Sequence, residues 1–318
     1  MTTVTPLRCR TALNRVRGMG FGWSLNPYRG CAHACVYCFA RATHTHFELG
    51  AGSDFSTHLF AKLNIAAVLE SEVSARRWRR EPVAVGTATD PYQPVEARHR
   101  LTRACLEVLA RHRTPAHVVT KGPMVRRDTD VLQDVCRRAG GSVCLSIPTV
   151  DEEIWRRTEP GTAAPRHRLL AVRHLARAGI RVGVLLAPLL PGISANGAGI
   201  AATVAAAAEH GACFVEANML YLKADVREHY FEFLATHYPA LLPQYRHLYG
   251  GISAPAAWRA RAQAVAREAS VRYGVADRRT VRLQPPPRPM AQALPLEALS
   301  AAAALGATAG AIPPDGPA

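Results

Sequence analysis

From residue 83 to residue 219 the chain alternates short apolar runs with longer segments whose apolar residues recur at helical spacing. The runs at 83–86, 116–120, 143–147, 182–186 and 213–219 are rich in valine, leucine and isoleucine and read as buried strands. Between them, the segment 97–113 puts Leu101, Cys105, Val108 and Leu109 on one face and stops at Thr114-Pro115. Asp128 caps the next helix, which runs through Val131, Leu132, Val135 and Cys136 to Gly140-Gly141. Further helices at 165–178 and 195–210 end at Gly179 and Gly211. Before this series, Trp23 to Asn26 reads as a first strand, and a helix from about Asn64, with Ile65, Val68, Leu69 and Trp78 inward, ends near Glu81-Pro82. Strands alternating with helices in this way build right-handed βαβ units around a parallel sheet. Six strands are too few for a closed eight-stranded barrel, so the expected architecture is α/β, a partial (β/α)6 TIM-type barrel.

Outside the alternation, residues 1–22 show no clear periodicity and read as an N-terminal arm. The expected barrel domain is 23–222. A C-terminal helical extension follows over 223–283, with one helix at 225–238 and another opened by Ser253 and Pro255 that runs to Tyr273, together closing the open side of the barrel. Residues 284–318, with three consecutive prolines and an alanine run, have the composition of a disordered or loosely helical tail.

The first strand leads into Cys31-Ala-His-Ala-Cys35-Val-Tyr-Cys38, three thiols in eight residues. Pro27 and Gly30 break regular structure just before it, as a loop wrapped around a metal centre requires. Three thiolates can hold a [4Fe-4S] cluster and leave one iron open to a small chelating molecule. The competing reading is a zinc knot with His33, His44 or His46 as fourth ligand, but such knots usually pair two half-sites, and no second half-site follows. Cys105, Cys136, Cys144 and Cys213 lie in predicted helices and strands and read as core packing, while Cys9 lies in the arm. At the end of the second strand, Gly86, Thr89 and Asp90 suit a polar, cationic ligand group, or else Asp90 pairs with an arginine. Lys121 and Ser146, at the ends of the next two strands, suit the carboxylate of an amino acid.

These motifs resemble the spore photoproduct lyase-like branch of the radical S-adenosylmethionine (SAM) superfamily. The resemblance rests on Asn26-Pro-Tyr-Arg-Gly30 before the cysteines, Tyr37 before the last of them, Thr89-Asp90, Val119-Thr-Lys121, Leu145-Ser-Ile147, Glu159-Pro-Gly-Thr162 and Ala187-Pro188, and spans residues 23–222. It implies a [4Fe-4S] cluster on Cys31, Cys35 and Cys38 and S-adenosyl-L-methionine bound by Thr89 near its amino group, Lys121 and Ser146 at its carboxylate, and Tyr37 with Ala187 near the adenine. It also implies an external one-electron donor and a 5′-deoxyadenosyl radical that abstracts hydrogen from a substrate. Two departures stand out. Thr87 occupies the place of the hydrogen-donating cysteine of the name-giving lyase, and Phe39 that of a tyrosine, so the lyase cycle does not transfer unchanged.

Charge bears on the substrate. The formal net charge is +15, which suits a nucleic acid. Of 39 Lys and Arg, however, only Lys62, Lys121 and Lys223 are lysines, and the arginines are spread over many segments. That pattern equally fits a basic surface and a small-molecule or peptide substrate. No long apolar run predicts a membrane span, and no leader is evident, so a reduced cytoplasmic setting is expected.

Overall fold

The computed structural model describes residues 2–278 and 281. Its strands are β1 Thr3–Leu7, β2 Leu13–Arg15, β3 Trp23–Leu25, β4 Tyr28–Arg29, β5 His58–Lys62, β6 Val83–Val85, β7 Ala116–Thr120, β8 Gly141–Ser146, β9 Val182–Leu189, β10 Phe214–Met219 and β11 Ala276–Asp277. The main sheet has the order β11-β10-β9-β8-β7-β6-β3-β2. From β3 to β10, sequence neighbours in this series pair in parallel, which is the α/β partial-barrel arrangement the alternation predicts. Period-two patterning explains the sheet's sidedness: Val83, Val85, Val118, Val143, Leu145, Val184, Leu186 and Val215 share one apolar core with the covering helices. The alternate positions, among them Lys121 and Ser146 at strand ends, face the other way. Position 183 on that second face is glycine, since a Cβ there would lie 2.0 Å from the Phe214 ring.

Two edge strands escape the pattern. β2 adds antiparallel to β3, and the two-residue β11 adds parallel to β10. The N-terminal segment is therefore more than an arm. β1 pairs in register with β5 from Thr3↔His58 to Leu7↔Lys62 in a separate three-stranded sheet with β4. The Asn64 side chain then bonds both the N–H and the carbonyl of Cys9 at 2.9 Å, and Glu72 accepts from the N–H groups of Ala12 and Leu13 at 3.1 and 2.9 Å. Backbone pairing and the Asn64 and Glu72 side chains hold this segment, with Ala12 and Leu13 buried in the main core.

The helices depart from expectation at three places. The segment expected as one helix over 97–113 breaks at Arg100 (φ +50°) into Glu96–His99 and Leu101–Arg111, with the buried Glu96 carboxylate accepting from Thr102 N at 3.0 Å. The helix begun near Asn64 ends at Ser74, and Trp78 instead packs edge-on to Trp23 and donates to Thr114 Oγ1 at 2.9 Å. The stretch after β8 contains a helix, Glu152–Thr158, capped by Asp151, which accepts from Glu153 and Ile154 N–H groups at 2.9 and 3.0 Å.

Beyond β10, the helices Ala224–His237 and Leu242–Leu248 form a second apolar cluster in which Val226, Tyr230, Leu234 and Tyr245 pack with Cys35 and Tyr37. These helices thus cover the cysteine loop, while Ala256–Arg272 lies against the helix Gly197–Glu209 and β10. Among the described residues, no helix is long and apolar enough to cross a membrane. The expected tail, 284–318, lies outside the described residues.

Candidate functional site

The cysteine loop leaves β4 through Gly30, whose φ of +71° and lack of space admit no side chain: a Cβ would lie 2.8 Å from the His58 carbonyl and 2.9 Å from that of Phe55. Every approach to the loop is then tied down. Cys31 N donates to Phe55 O at 2.9 Å, Ala32 N to Gln93 Oε1 at 2.9 Å, and Gln93 Nε2 to Gly30 O at 3.1 Å. On the far side Val36 N donates to Thr158 O and Gly161 N to His33 O, both at 3.1 Å. Gly161 is packed so closely that a Cβ would meet the Ala32 carbonyl oxygen at 2.2 Å.

Cys31, Cys35 and Cys38 are free thiols, the first two buried and the third half-buried. Burial first, then the Glu159 carboxylate, pushes Cys35 up to about 12, with Lys121 opposing. Cys31 is raised by burial, by Asp90 and by the other two cysteines, so the three thiols feel one another's charge. Among the described residues, no group of three or more His, Cys, Asp or Glu is gathered tightly enough to hold a metal ion. Protonated thiols without a cation have no reason to converge, and a bound metal reverses that by making each a thiolate. The donor set, three sulfurs on one clamped loop, fits a three-thiolate cluster. Of the histidines near the loop, His33 Nδ1 sits 3.3 Å from Asp90 Oδ2 and His44 Nε2 bonds the His58 carbonyl at 2.8 Å, while His46 falls outside the described side chains.

The predicted ligand residues fall into two groups. Lys121 Nζ lies 2.5 Å from Ser146 Oγ and 3.2 Å from Glu159 Oε1, over the Tyr37 ring at 5.7 Å, and Ser146 Oγ donates to the Ala187 carbonyl at 3.0 Å. Tyr37, Lys121, Ser146 and Ala187 therefore form one cluster beside the cysteine loop. Thr89 stands at the start of the cysteine loop: its hydroxyl donates to Gly30 O at 2.6 Å and accepts from Gln93. Asp90 is neither a free anion for a ligand nor an arginine partner. It accepts from Tyr92 N at 2.8 Å and from Thr120 Oγ1 and Lys121 N at 2.6 Å each; burial raises its carboxyl, but His33, then Lys121 N and Thr120, bring it down to about 2. Thr87 accepts weakly from Asn26 Nδ2 at 3.4 Å. Cys105 and Cys144 are buried as expected, but Cys213, just ahead of β10, is exposed.

The sequence model of the Radical SAM superfamily matches residues 25–198, more than half of the chain, from the last residue of β3 to the start of the helix Gly197–Glu209. The chain belongs to the radical SAM superfamily. An uncharacterized protein of Mycobacterium tuberculosis is 38% identical over 244 residues, 76% of this chain and 72% of that protein. An uncharacterized protein of Methanocaldococcus jannaschii is 22% identical over 59% of this chain and 68% of its own length. A spore photoproduct lyase variant solved with AdoMet and a dinucleoside spore photoproduct superposes with a TM-score of 0.66 at 16% identity, covering 85% of this chain and 79% of that one; the two share a fold. Membership makes the chain an enzyme of SAM-dependent radical chemistry and implies a [4Fe-4S] cluster and SAM.

Around the radical SAM loop the structure adds contacts that the motifs did not show. The largest is a buried ionic network: Arg168, fully enclosed, pairs with Glu159 Oε2 at 2.5 Å and donates to Ser146 O at 2.9 Å, while Tyr37 OH bonds Glu159 Oε1. Burial alone would raise the Glu159 carboxyl, but Arg168, Lys121 and Tyr37 bring it down to about 2. The negative charge of Glu159 is thus permanent at neutral pH, and it fixes both the Lys121 ammonium and the Tyr37 ring. Gln93 and Arg41 are likewise buried against the loop. The visible sign in the sequence was Glu159-Pro-Gly-Thr162, a polar turn with no partner nearby in the chain.

Proposed function

We propose that Cys31, Cys35 and Cys38 hold a [4Fe-4S] cluster and that Lys121 and Ser146 receive the carboxylate of SAM beside it, with Thr89 near the amino group and Tyr37 and Ala187 near the adenine. A reduced cluster held there would supply the one electron that cleaves the bond from the SAM sulfonium to its 5′ carbon, giving methionine and a hydrogen-abstracting 5′-deoxyadenosyl radical. An external one-electron donor restores the cluster's electron. The chain's own residues bind, orient and exclude water. The observation that carries the reading is the approach of Lys121 and Ser146 to 2.5 Å beside the cysteine loop, from the ends of adjacent strands. The ammonium, kept oriented by Glu159, has a third N–H left for a carboxylate, and Ser146 joins it once its single O–H turns from the Ala187 carbonyl. Lys121→Ala tests this: SAM affinity should fall by roughly tenfold or more, as for a lost charge-assisted hydrogen bond, with iron content spared. Unchanged SAM affinity refutes the assignment.

The substrate that best fits is a polyanion. The formal charge is +15, and exposed Arg98, Arg100 and Arg126 lie in the segments that follow β6 and β7, on the side where the strands end and Lys121 stands. A nucleic acid is the polyanion this reading names; a small molecule or peptide is the alternative, favoured by Thr87 in place of a donor thiol. Salt dependence of binding to duplex DNA separates them.

A further inference from the structure

Arg41 is a buried cation with an unusual set of partners. Its guanidinium, on a side chain only 2% exposed, donates from Nε to the Cys35 carbonyl at 3.0 Å, from Nη2 to Ala34 O at 2.9 Å, and from Nη1 to Ala51 O at 3.1 Å and Gly52 O at 2.6 Å. It also lies over the Phe55 ring at 5.4 Å. Four neutral carbonyls satisfy its N–H groups but none neutralises its charge. Among the described residues, no carboxylate lies within ion-pairing distance of it. A buried guanidinium normally has an acidic partner, because taking a charge out of water is costly unless an opposite charge sits close by. Arg168, the other enclosed arginine near the loop, follows that rule with Glu159 at 2.5 Å. Arg41 breaks it.

The three thiols become three negative charges only when a metal centre binds them. We infer that Arg41 is the built-in counter-charge of the cysteine-bound cluster, a positioning residue whose positive charge favours the reduced, more negative form and so raises its reduction potential. This rests on the assignment of the cluster to Cys31, Cys35 and Cys38. The two carbonyls Arg41 grips inside the cysteine loop, Ala34 and Cys35, place its charge on the loop itself. They also fix Ala34, which the backbone holds at a positive φ of 52°.

The test compares the wild-type chain with Arg41→Lys and Arg41→Gln after anaerobic reconstitution with iron and sulfide. Iron per chain is measured first, and the ratio of reduced to oxidised cluster is then read by electron paramagnetic resonance across a poised redox series. In Arg41→Gln the ratio at any fixed potential should drop by roughly tenfold or more, the effect of deleting a nearby charge in a partly screened interior. Arg41→Lys keeps the charge and should retain most of the wild-type ratio. If Arg41→Gln loses its iron while Arg41→Lys keeps it, the need for the charge is likewise supported. Equal ratios in wild type and Arg41→Gln at full iron overturn the inference, as does equal loss of iron in both variants. A wild-type chain that takes up no cluster would instead sink the cluster assignment on which the inference stands.

Discussion

Replacing Glu159 by glutamine removes one charge from the enclosed network and keeps its shape. The carboxylate sits 2.5 Å from Arg168 and 3.2 Å from Lys121, and both Arg168 and Glu159 are almost wholly buried. Its carboxyl is brought from 4.5 down to about 2, and at about 1.4 kcal/mol per pH unit that corresponds to about 3 kcal/mol of native-state stability at neutral pH. Stranding a buried arginine costs about 3–5 kcal/mol in other proteins, which agrees. Because the folded-state value lies below the unfolded one, this stability is fully present above about pH 4.5 and is lost as pH falls through about 2. Urea unfolding of wild type and Glu159→Gln, followed by circular dichroism at pH 7 and pH 3, reads the difference directly. The gap should be about 3 kcal/mol at pH 7 and shrink to roughly half at pH 3, where the wild-type carboxylate has begun to lose its advantage. A gap under about 1 kcal/mol at pH 7, or one that stays constant with pH, would refute the view that Glu159 is held ionised by its neighbours.

Gly161→Ala forces a Cβ into the Ala32 carbonyl and should cost about 1–3 kcal/mol, read as a lower Tm together with poorer iron retention; a variant with normal Tm and full iron would show that the loop has slack there. If the substrate is a nucleic acid, duplex DNA affinity should fall steeply between low and physiological salt, with a linear log–log slope of several units. Absent or salt-insensitive binding moves the substrate to a small molecule or peptide.

The parallel core was legible because each strand carries its own signal. Val83 and Val85, Val143 and Leu145, Val182 and Val184 are alternate residues that all enter one core, and each run is followed by an amphipathic helix. The N-terminal strands were not legible, because β1 is exposed along four of its five residues and is held by register with β5 and by Asn64 and Glu72. At the site, the positions of Lys121 and Ser146 at strand ends predicted their convergence. Asp90 was misread because the hydroxyl and backbone donors that saturate it come from β7 and the residue after it, thirty positions away in the chain. Glu159 and Arg41 were hidden for related reasons. The partner of Glu159 at Tyr37 lies 122 residues distant, and in a chain so rich in arginine nothing marks Arg41 as buried without a carboxylate.

The most direct measurement is anaerobic reconstitution of the full chain with iron and sulfide, followed by SAM and a reductant, with 5′-deoxyadenosine quantified by chromatography. Four irons per chain, as one cubane cluster requires, should accompany 5′-deoxyadenosine release, and both should be lost in Cys35→Ala. A colourless protein that retains stoichiometric zinc, or one that carries the cluster yet leaves SAM intact under reducing conditions, would contradict the assignment of radical SAM chemistry to this loop.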